Sequence, residues 1–199
     1  MSPLANKLQI ITDLQPKSPV SEAYRSLRTN IDFSSVDRKI QTVMVTSAGA
    51  GEGKTTTVVN LAAAYAQADK RTLLIDADLR KPNVHRWFQL SSREGLSTLL
   101  ANQCSLGEAV QKTHLPNLHV IPSGPIPPNP AELIASQRMG ALLNELKTEY
   151  DMILIDTPPA LAVADAMIMS AKCDGTIIVA HAGKVKREFT AKVKHSLEL

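Results

Sequence analysis

The sequence of 199 residues predicts an α/β domain of three layers, in which helices cover both faces of a mostly parallel central sheet. Short, nearly continuous apolar segments alternate with longer segments of helical periodicity, the pattern of a sheet that is buried on both faces. A glycine-rich segment also separates the first apolar run from the helix after it, as in strand–loop–helix units. This length fits one domain with a substantial core.

Five short apolar segments predict the strands. Each is nearly free of polar residues, as expected when helices cover both sides of a strand. The predicted strands are residues 42–46, 72–76, 118–122, 152–156 and 176–180.

Helical periodicity fills most of the chain between and around these strands. The first helix is predicted at 21–33 with Ser21 as its cap, so residues 1–20 are expected to form a tail and residues 21–199 the domain. A helix such as 184–199 normally leads into another strand, and we therefore expect the domain to continue beyond residue 199. The other predicted helices are 55–67, 95–100 with 106–112, 131–149 and 165–171.

Composition excludes several functional classes. The net charge of +3 is too small to predict a dedicated nucleic-acid binder. Cys104 and Cys173 lie far apart with no ligand-like spacing, which favours free thiols in a reducing compartment over a disulfide or zinc site. No apolar run approaches membrane-spanning length.

The glycine-rich segment has the features of a phosphate-binding loop. Its glycines allow the backbone to fold around a polyphosphate, Lys54 can reach the terminal phosphates, and the Thr55 hydroxyl can ligate Mg²⁺. Ala48 stands where the strict pattern has its first glycine. The context still favours this interpretation over an unliganded loop, and it predicts a P-loop NTPase fold that binds ATP and Mg²⁺. The predicted nucleotide-binding residues are Gly49, Gly51, Glu52, Gly53, Lys54, Thr55 and Thr56.

Aspartates end two of the predicted strands. Asp76 and Asp78 follow the second strand, and Asp156 ends the fourth. Carboxylates at the ends of buried strands are costly unless a cation uses them, so Asp76, Asp156 and Thr55 are the predicted metal residues. The alternative is structural, with these aspartates capping helices or pairing with Arg80 and Lys81. Three carboxylates that converge on a phosphate loop favour the functional interpretation.

These motifs together resemble those of a known family. Residues 47–57, 73–82 and 153–159 are similar to the Walker A, A′ and B motifs of bacterial tyrosine kinases, which govern capsule and exopolysaccharide synthesis. Residues 123–133 and 22–30 resemble two further family segments. The resemblance implies an ATP-dependent protein-tyrosine kinase that autophosphorylates. Its implied catalytic residues are Lys54, Asp76, Asp78 and Asp156.

The resemblance also implies partners. Glu22, Arg25 and Arg28 match the family element that packs subunits into rings, although the same spacing suits a solvated helix face. Relatives are activated by a membrane adaptor for polysaccharide chain-length control. We therefore expect a cytoplasmic homo-oligomer that reaches the inner face of the plasma membrane through such an adaptor and acts on protein tyrosines.

The tyrosines depart from the family pattern, because relatives carry an autophosphorylated cluster at the extreme C-terminus. Here Tyr24, Tyr65 and Tyr150 are the tyrosines, and none lies near Leu199. We expect Tyr65 and Tyr150 to be structural.

Two other functions share the same motifs. A partitioning or positioning ATPase has the same fold but usually carries an extra lysine at the place of Gly49, so Gly49 counts against it. A non-catalytic regulator that only binds nucleotide has little need for three aspartates at the loop.

Overall fold

The computed structural model describes residues 8–34 and 39–198, and its centre is a six-stranded sheet. The strand order is β3-β4-β2-β5-β1-β6. All pairings are parallel except the antiparallel pair of β3 and β4, which confirms the predicted mostly parallel sheet. The strands are β1 (Thr42–Ser47), β2 (Thr72–Asp76), β3 (Gln111–Lys112), β4 (Leu118–Ile121), β5 (Met152–Asp156) and β6 (Gly175–Val179).

Helices flank this sheet along the described part of the chain. Their bounds are α1 (Ile11–Leu14), α2 (Pro19–Phe33), α3 (Lys54–Ala66), α4 (Val84–Phe88), α5 (Leu96–Leu100), α6 (Leu106–Ala109), α7 (Pro130–Ala135), α8 (Gln137–Glu149), α9 (Asp165–Ser170) and α10 (Arg187–Leu197).

The five predicted strands are all present, but β3 was predicted as the end of a helix. The helix ends at Ala109, and Val110 already has an extended backbone (ψ 121°). Gln111 then pairs with Val120 of β4. A two-residue strand has no periodicity of its own, so only the pairing with β4 reveals it.

Two predicted helix boundaries were wrong. The helix at 131–149 divides into α7 and α8 at Ser136, whose backbone is extended and whose hydroxyl accepts a hydrogen bond from the Met139 N–H. The first long helix begins at Pro19, and its cap is Ser18, not Ser21. The Ser21 N–H donates to the Ser18 Oγ at 3.2 Å. Proline at the first helical position fits this start.

Part of the expected N-terminal tail packs on the domain. Ile10 and Thr12 are buried, and both the N–H and the hydroxyl of Thr12 donate to Asn60 Oδ1, at 3.0 and 3.1 Å. The ordered packing therefore starts ahead of residue 21. α1 is a single turn, too short to have a sequence signature.

The core lies in two layers, one on each face of the sheet. Leu74 and Leu154 point to the face covered by α1 to α4, whereas Leu73, Ile75 and Ile155 point to the face covered by the later helices. This alternation along nearly continuous apolar strands is the arrangement that the sequence predicts. No helix in the described residues is both long and apolar enough to span a bilayer.

Candidate active site

Three neighbouring strands bring the predicted motifs to one edge of the sheet. β5 lies between β2 and β1, and all three run parallel. Asp76 of β2 and Asp156 of β5 are therefore register partners, and Asp156 also pairs with Val45 of β1, just before the glycine-rich loop. Carboxyl ends of parallel strands are where ligands bind in such sheets.

The glycine-rich loop has the backbone that phosphate binding requires. Gly51 and Gly53 have φ angles of 75° and 98°, a region that residues with a side chain rarely adopt. Gly53 precedes Lys54, the first residue of α3. The first N–H groups of a helix have no partner within the helix, so those of Lys54, Thr55 and Thr56 can bind phosphate oxygens.

Gly49 and Glu52, two predicted nucleotide-binding residues, contact each other inside the loop. The Gly49 N–H donates to Glu52 Oε1, and the Gly49 carbonyl accepts from the Ser47 hydroxyl at 2.6 Å. A Cβ atom at position 49 would lie 3.0 Å from Glu52 Oε1. A side chain at position 49 would therefore require the Glu52 carboxylate to shift slightly.

Thr55 and Asp156 form the shortest link between the loop and the sheet edge. The Thr55 hydroxyl donates to Asp156 Oδ2 at 2.6 Å, which leaves the lone pairs of that hydroxyl available to a cation. Asp156 is buried, and its other carboxylate oxygen, Oδ1, has no hydrogen-bond partner among the described residues. A buried unpaired carboxylate oxygen is costly unless a cation or its water satisfies it.

The raised pKa values of Asp156 and Asp76 fit a site that a cation such as Mg²⁺ completes, because a bound cation would favour the charged form of both carboxyl groups. Burial raises the pKa of Asp156, while the Thr55 hydrogen bond and the charge of Lys54 oppose this rise. Burial and the charge of Asp156 raise the pKa of Asp76 well above its ordinary value. Among the described residues, no three His, Cys, Asp or Glu side chains form a metal cluster. Mg²⁺ bound through few protein groups, with phosphates and water as the other ligands, suits this arrangement.

Asp76 at the end of β2 and Asp78 just after it also organise the backbone of residues 76–84, which we call the A′ segment. Asp76 Oδ2 accepts from the N–H groups of Asn83 and Val84 at 3.1 and 3.0 Å. Asp78 Oδ1 accepts from the N–H groups of Arg80 and Lys81 at 3.3 and 3.0 Å. The structural alternative thus holds in part, through backbone groups. These contacts leave other lone pairs of both carboxylates available.

Asp165 lies at this edge as well and was missed by the sequence analysis. It is buried at the start of α9 and binds the Arg80 guanidinium through both carboxylate oxygens. The available signal was an aspartate inside the apolar stretch 160–168, without a basic residue near it in sequence.

The raised carboxylate pKa values predict that the stability of the fold falls as pH rises and that bound Mg²⁺ opposes this loss. A carboxyl group with a raised pKa binds protons in the folded state that it has lost in the unfolded state, so stability falls as pH rises through the folded pKa. We expect the nucleotide-free protein to lose stability between about pH 4 and about pH 7, which is the range from the ordinary carboxyl pKa to the value of about 7 for Asp156, with a slope near 1.4 kcal/mol per pH unit for one such group. Urea unfolding across this range measures it.

Asp156→Asn is the matched variant for this measurement. It should flatten the slope, and Mg²⁺ with ADP should stabilise the wild type more at the upper end of the range. Equal slopes for wild type and variant would contradict the assignment.

The triplet Glu22, Arg25 and Arg28 lies away from this edge, on α2. Arg25 and Glu22 form an ion pair at 2.9 Å. Arg28 instead donates to the carbonyl of Ala64, about 15 Å along α3 from Lys54. Arg28 is thus partly engaged within the subunit, while Glu22 is largely exposed.

The expectation that Tyr65 and Tyr150 are structural agrees with their burial. The Tyr65 hydroxyl donates to Asp32 Oδ1 at 3.0 Å, and the Tyr150 hydroxyl lies 2.8 Å from His119 Nδ1. Tyr24 is half-buried on α2.

Comparison with known proteins adds an independent line of argument. Residues 39–188 match a family described as AAA domain. Tyrosine-protein kinase YwqD of Bacillus subtilis (strain 168) is 51% identical over 188 residues, which cover 94% of this chain and 79% of the relative. The kinase domain of Escherichia coli tyrosine kinase ETK superposes with a TM-score of 0.93 at 34% identity, covering 98% of this chain and 76% of that one.

A septum site-determining protein shares the fold at lower similarity. The septum site-determining protein MinD from Pyrococcus horikoshii OT3, solved as a complex with Mg-ADP, superposes with a TM-score of 0.61 at 26% identity. The match covers 70% of this chain and 57% of that chain. The kinases are thus more similar over a larger share of the chain.

Proposed function

This chain belongs to the family of bacterial tyrosine kinases, and we propose that it transfers the γ-phosphoryl group of ATP to protein tyrosines in the control of capsule or exopolysaccharide synthesis. The observation that carries this proposal is the junction of Thr55 and Asp156, a 2.6 Å hydrogen bond that joins a phosphate-binding loop to a buried carboxylate. Asp76 is the register partner of Asp156 and adds a second carboxylate.

Nucleotide binding is assigned to the loop and the start of α3. The N–H groups from Gly51 to Thr56 surround the β- and γ-phosphates, and the Lys54 ammonium neutralises charge on the terminal phosphates. Thr55 and Asp156 would hold Mg²⁺, and Asp76, the register partner of Asp156, would supply a second carboxylate. When bound, Mg²⁺ neutralises the charge that develops on the phosphate oxygens.

Transfer to the acceptor is assigned to Asp78 together with Lys54. An O–P bond forms between the tyrosine oxygen and the γ-phosphorus, and the bond to the β,γ-bridging oxygen breaks to release ADP. Asp78 orients the tyrosine hydroxyl and accepts its proton. Positioning and charge neutralisation supply most of the rate, because the phosphoryl transition state is loose.

The partners follow from the family membership. A membrane adaptor of the polysaccharide co-polymerase type recruits the kinase to the inner face of the plasma membrane and activates it. The kinase assembles as a homo-oligomeric ring through α2, and its substrates are tyrosines of proteins that include its own subunits.

The proposal is tested by phosphotyrosine detection. The protein is incubated with ATP and Mg²⁺, with and without the cytoplasmic tail of a candidate adaptor, using a synthetic Glu–Tyr copolymer as acceptor. We expect phosphotyrosine that depends on ATP and Mg²⁺ and increases with the adaptor tail. ATP hydrolysis with no phosphotyrosine under any of these conditions would favour the positioning ATPase.

Assembly is predicted to depend on the charges of Glu22 and Arg25 on α2, of which Glu22 is largely exposed and Arg25 partly exposed. Arg25→Glu places two like charges at positions 22 and 25, and we expect it to shift the protein toward monomer and to slow phosphorylation between subunits. Light scattering with ATP and Mg²⁺ measures the shift. Arg25→Glu also removes a hydrogen bond from Arg25 to the Pro16 carbonyl, and an Arg28 variant would remove the bond to the Ala64 carbonyl, so the fold of each variant is checked by circular dichroism.

The matched control is the double variant Glu22→Arg, Arg25→Glu. It preserves the ion pair within the helix, yet it reverses both charges that α2 presents to a neighbour. If Arg25→Glu acts through the interface, the double variant should also be monomeric. If the double variant forms the same oligomers as the wild type, the ion pair of Glu22 and Arg25 stabilises only the helix, and its charges do not contribute to the interface.

A further inference from the structure

The structure joins the A′ segment to the opposite side of the site through one ion pair. The Arg80 Nε donates to Asp165 Oδ2 at 2.9 Å, and its Nη2 donates to Asp165 Oδ1 at 3.0 Å. These residues are 85 positions apart in sequence, so the contact links the segment after β2 to the start of α9. Two parallel hydrogen bonds fix both the position and the orientation of the guanidinium.

The pair is unequal in its exposure. The Asp165 side chain is 1% exposed, whereas that of Arg80 is 39% exposed. An exposed arginine gains little stability from a surface ion pair, but a buried carboxylate needs a partner. Asp165 therefore acts as a fixed anchor that draws the Arg80 side chain toward the sheet edge.

The anchor itself is attached to β1 and the phosphate loop. Residues 157–164 connect β5 to α9. Within them the Ala160 N–H donates to the Ser47 carbonyl at 2.9 Å, and the Thr157 hydroxyl donates to the Val45 carbonyl at 2.9 Å. α9 also packs against α7 and β1. Asp165 therefore follows a segment that is hydrogen-bonded to β1, the strand that leads into the phosphate loop.

Arg80 is bound from its other side by Asp78. The Arg80 and Lys81 N–H groups hold the Asp78 carboxylate, so the position of the Arg80 backbone sets the direction of that carboxylate. A displacement of Arg80 would move the donors that orient Asp78. The chain of contacts runs from the phosphate loop through Asp165 and Arg80 to Asp78.

We infer that Asp165 is a positioning residue for the kinase reaction: through Arg80 it sets the A′ segment at the distance from bound nucleotide at which Asp78 meets the acceptor tyrosine. This inference rests on the proposed function for its kinetic consequences. Both side-chain hydrogen bonds that the described residues give to Asp165 come from Arg80, so we assign its effect to that contact.

The test is the variant Asp165→Asn, which keeps the shape of the side chain and removes its charge. We expect kcat for tyrosine phosphorylation to fall about ten- to a hundredfold, because small misplacements of a reacting group have effects of this size. The dissociation constant for Mg²⁺–ADP should stay within about threefold of wild type, a change below 1 kcal/mol. Asp165→Glu should recover part of the loss.

A double-mutant cycle separates positioning from general destabilisation. Arg80→Gln should add little to the loss in Asp165→Asn, because both changes break one contact. Arg86→Gln, at an exposed arginine on α4, is the control, and its effect should add independently. Full additivity of Arg80→Gln with Asp165→Asn, or wild-type kcat in Asp165→Asn, would overturn the inference.

Hydrogen exchange gives a readout that needs no kinase activity. In Asp165→Asn the N–H groups of Arg80 and Lys81 should exchange faster than in wild type, while those of the β2 strand stay unchanged. Unchanged exchange at Arg80 and Lys81 would overturn the inference even if the wild type phosphorylates tyrosine. If the wild type has no kinase activity but Asp165→Asn still shows the faster exchange at Arg80 and Lys81, the proposed function would be refuted, while the structural link from Asp165 through Arg80 to Asp78 would stand.

Discussion

Lys54→Met is expected to reduce tyrosine phosphorylation by about a hundred- to a thousandfold, the usual cost of removing one charged or hydrogen-bonding group that stabilises a transition state. Lys54 is the first residue of α3 and directly follows Gly53, whose left-handed backbone forms the turn from the loop into the helix. Methionine keeps most of the apolar stem but has no charge. The measurement is the initial rate of phosphotyrosine formation with saturating ATP and Mg²⁺.

Stability has to be followed in the same experiment, since Lys54 is only 9% exposed. Its charge opposes the raised pKa of the buried Asp156, so its removal should raise that pKa further. We expect a folded variant with weaker nucleotide binding. Lys192→Met, at an exposed position on α10, is the control that should keep wild-type activity. A folded Lys54→Met protein with wild-type nucleotide affinity and activity would refute the loop assignment.

The sequence predicts the site better than it predicts the elements around it. Asp76 and Asp156 end apolar runs, and parallel strands bring their carboxyl ends to one edge, so local pattern suffices to place both carboxylates. Gly51 and Gly53 likewise occupy backbone conformations that glycine alone adopts readily. Each of these features depends on a few residues that are neighbours in the sequence, so the sequence pattern alone is enough to predict it.

What the sequence could not predict depends on contacts between distant segments. β3 exists only through its pairing with β4, and α1 is held by the bonds of Thr12 to Asn60. The contact of Asp165 with Arg80 spans 85 positions, so an aspartate inside an apolar stretch could indicate that Asp165 needs a partner but not which residue that partner is. The helix cap is a different case, because Pro19 at the first helical position was a local signal for a start after Ser18, and the sequence analysis did not use it.

The second large effect concerns the division of roles between two aspartates. Asp156→Asn should reduce phosphorylation about a hundredfold or more and should weaken the Mg²⁺ dependence of nucleotide binding, because Thr55 and Asp156, joined by a 2.6 Å hydrogen bond, are the residues that we propose to hold Mg²⁺. Asp78→Asn should reduce transfer by a similar factor while nucleotide binding stays close to wild type. The two measurements are phosphotyrosine formation and titration with a fluorescent ADP analogue at several Mg²⁺ concentrations.

Asparagine is informative at both positions because its amide oxygen can replace one carboxylate oxygen. At position 78 that oxygen can still accept from the Arg80 and Lys81 N–H groups, so the A′ segment should keep its shape and only the proton acceptor is lost. At position 156 the amide can still pair with the Thr55 hydroxyl, yet the charge that attracts Mg²⁺ is gone. If Asp78→Asn transfers phosphate as fast as the wild type, Asp78 is not the proton acceptor, and its role is limited to holding the backbone of the A′ segment. Asp156→Asn with an unchanged Mg²⁺ requirement would place the metal elsewhere, and the unpaired Oδ1 would then need another partner.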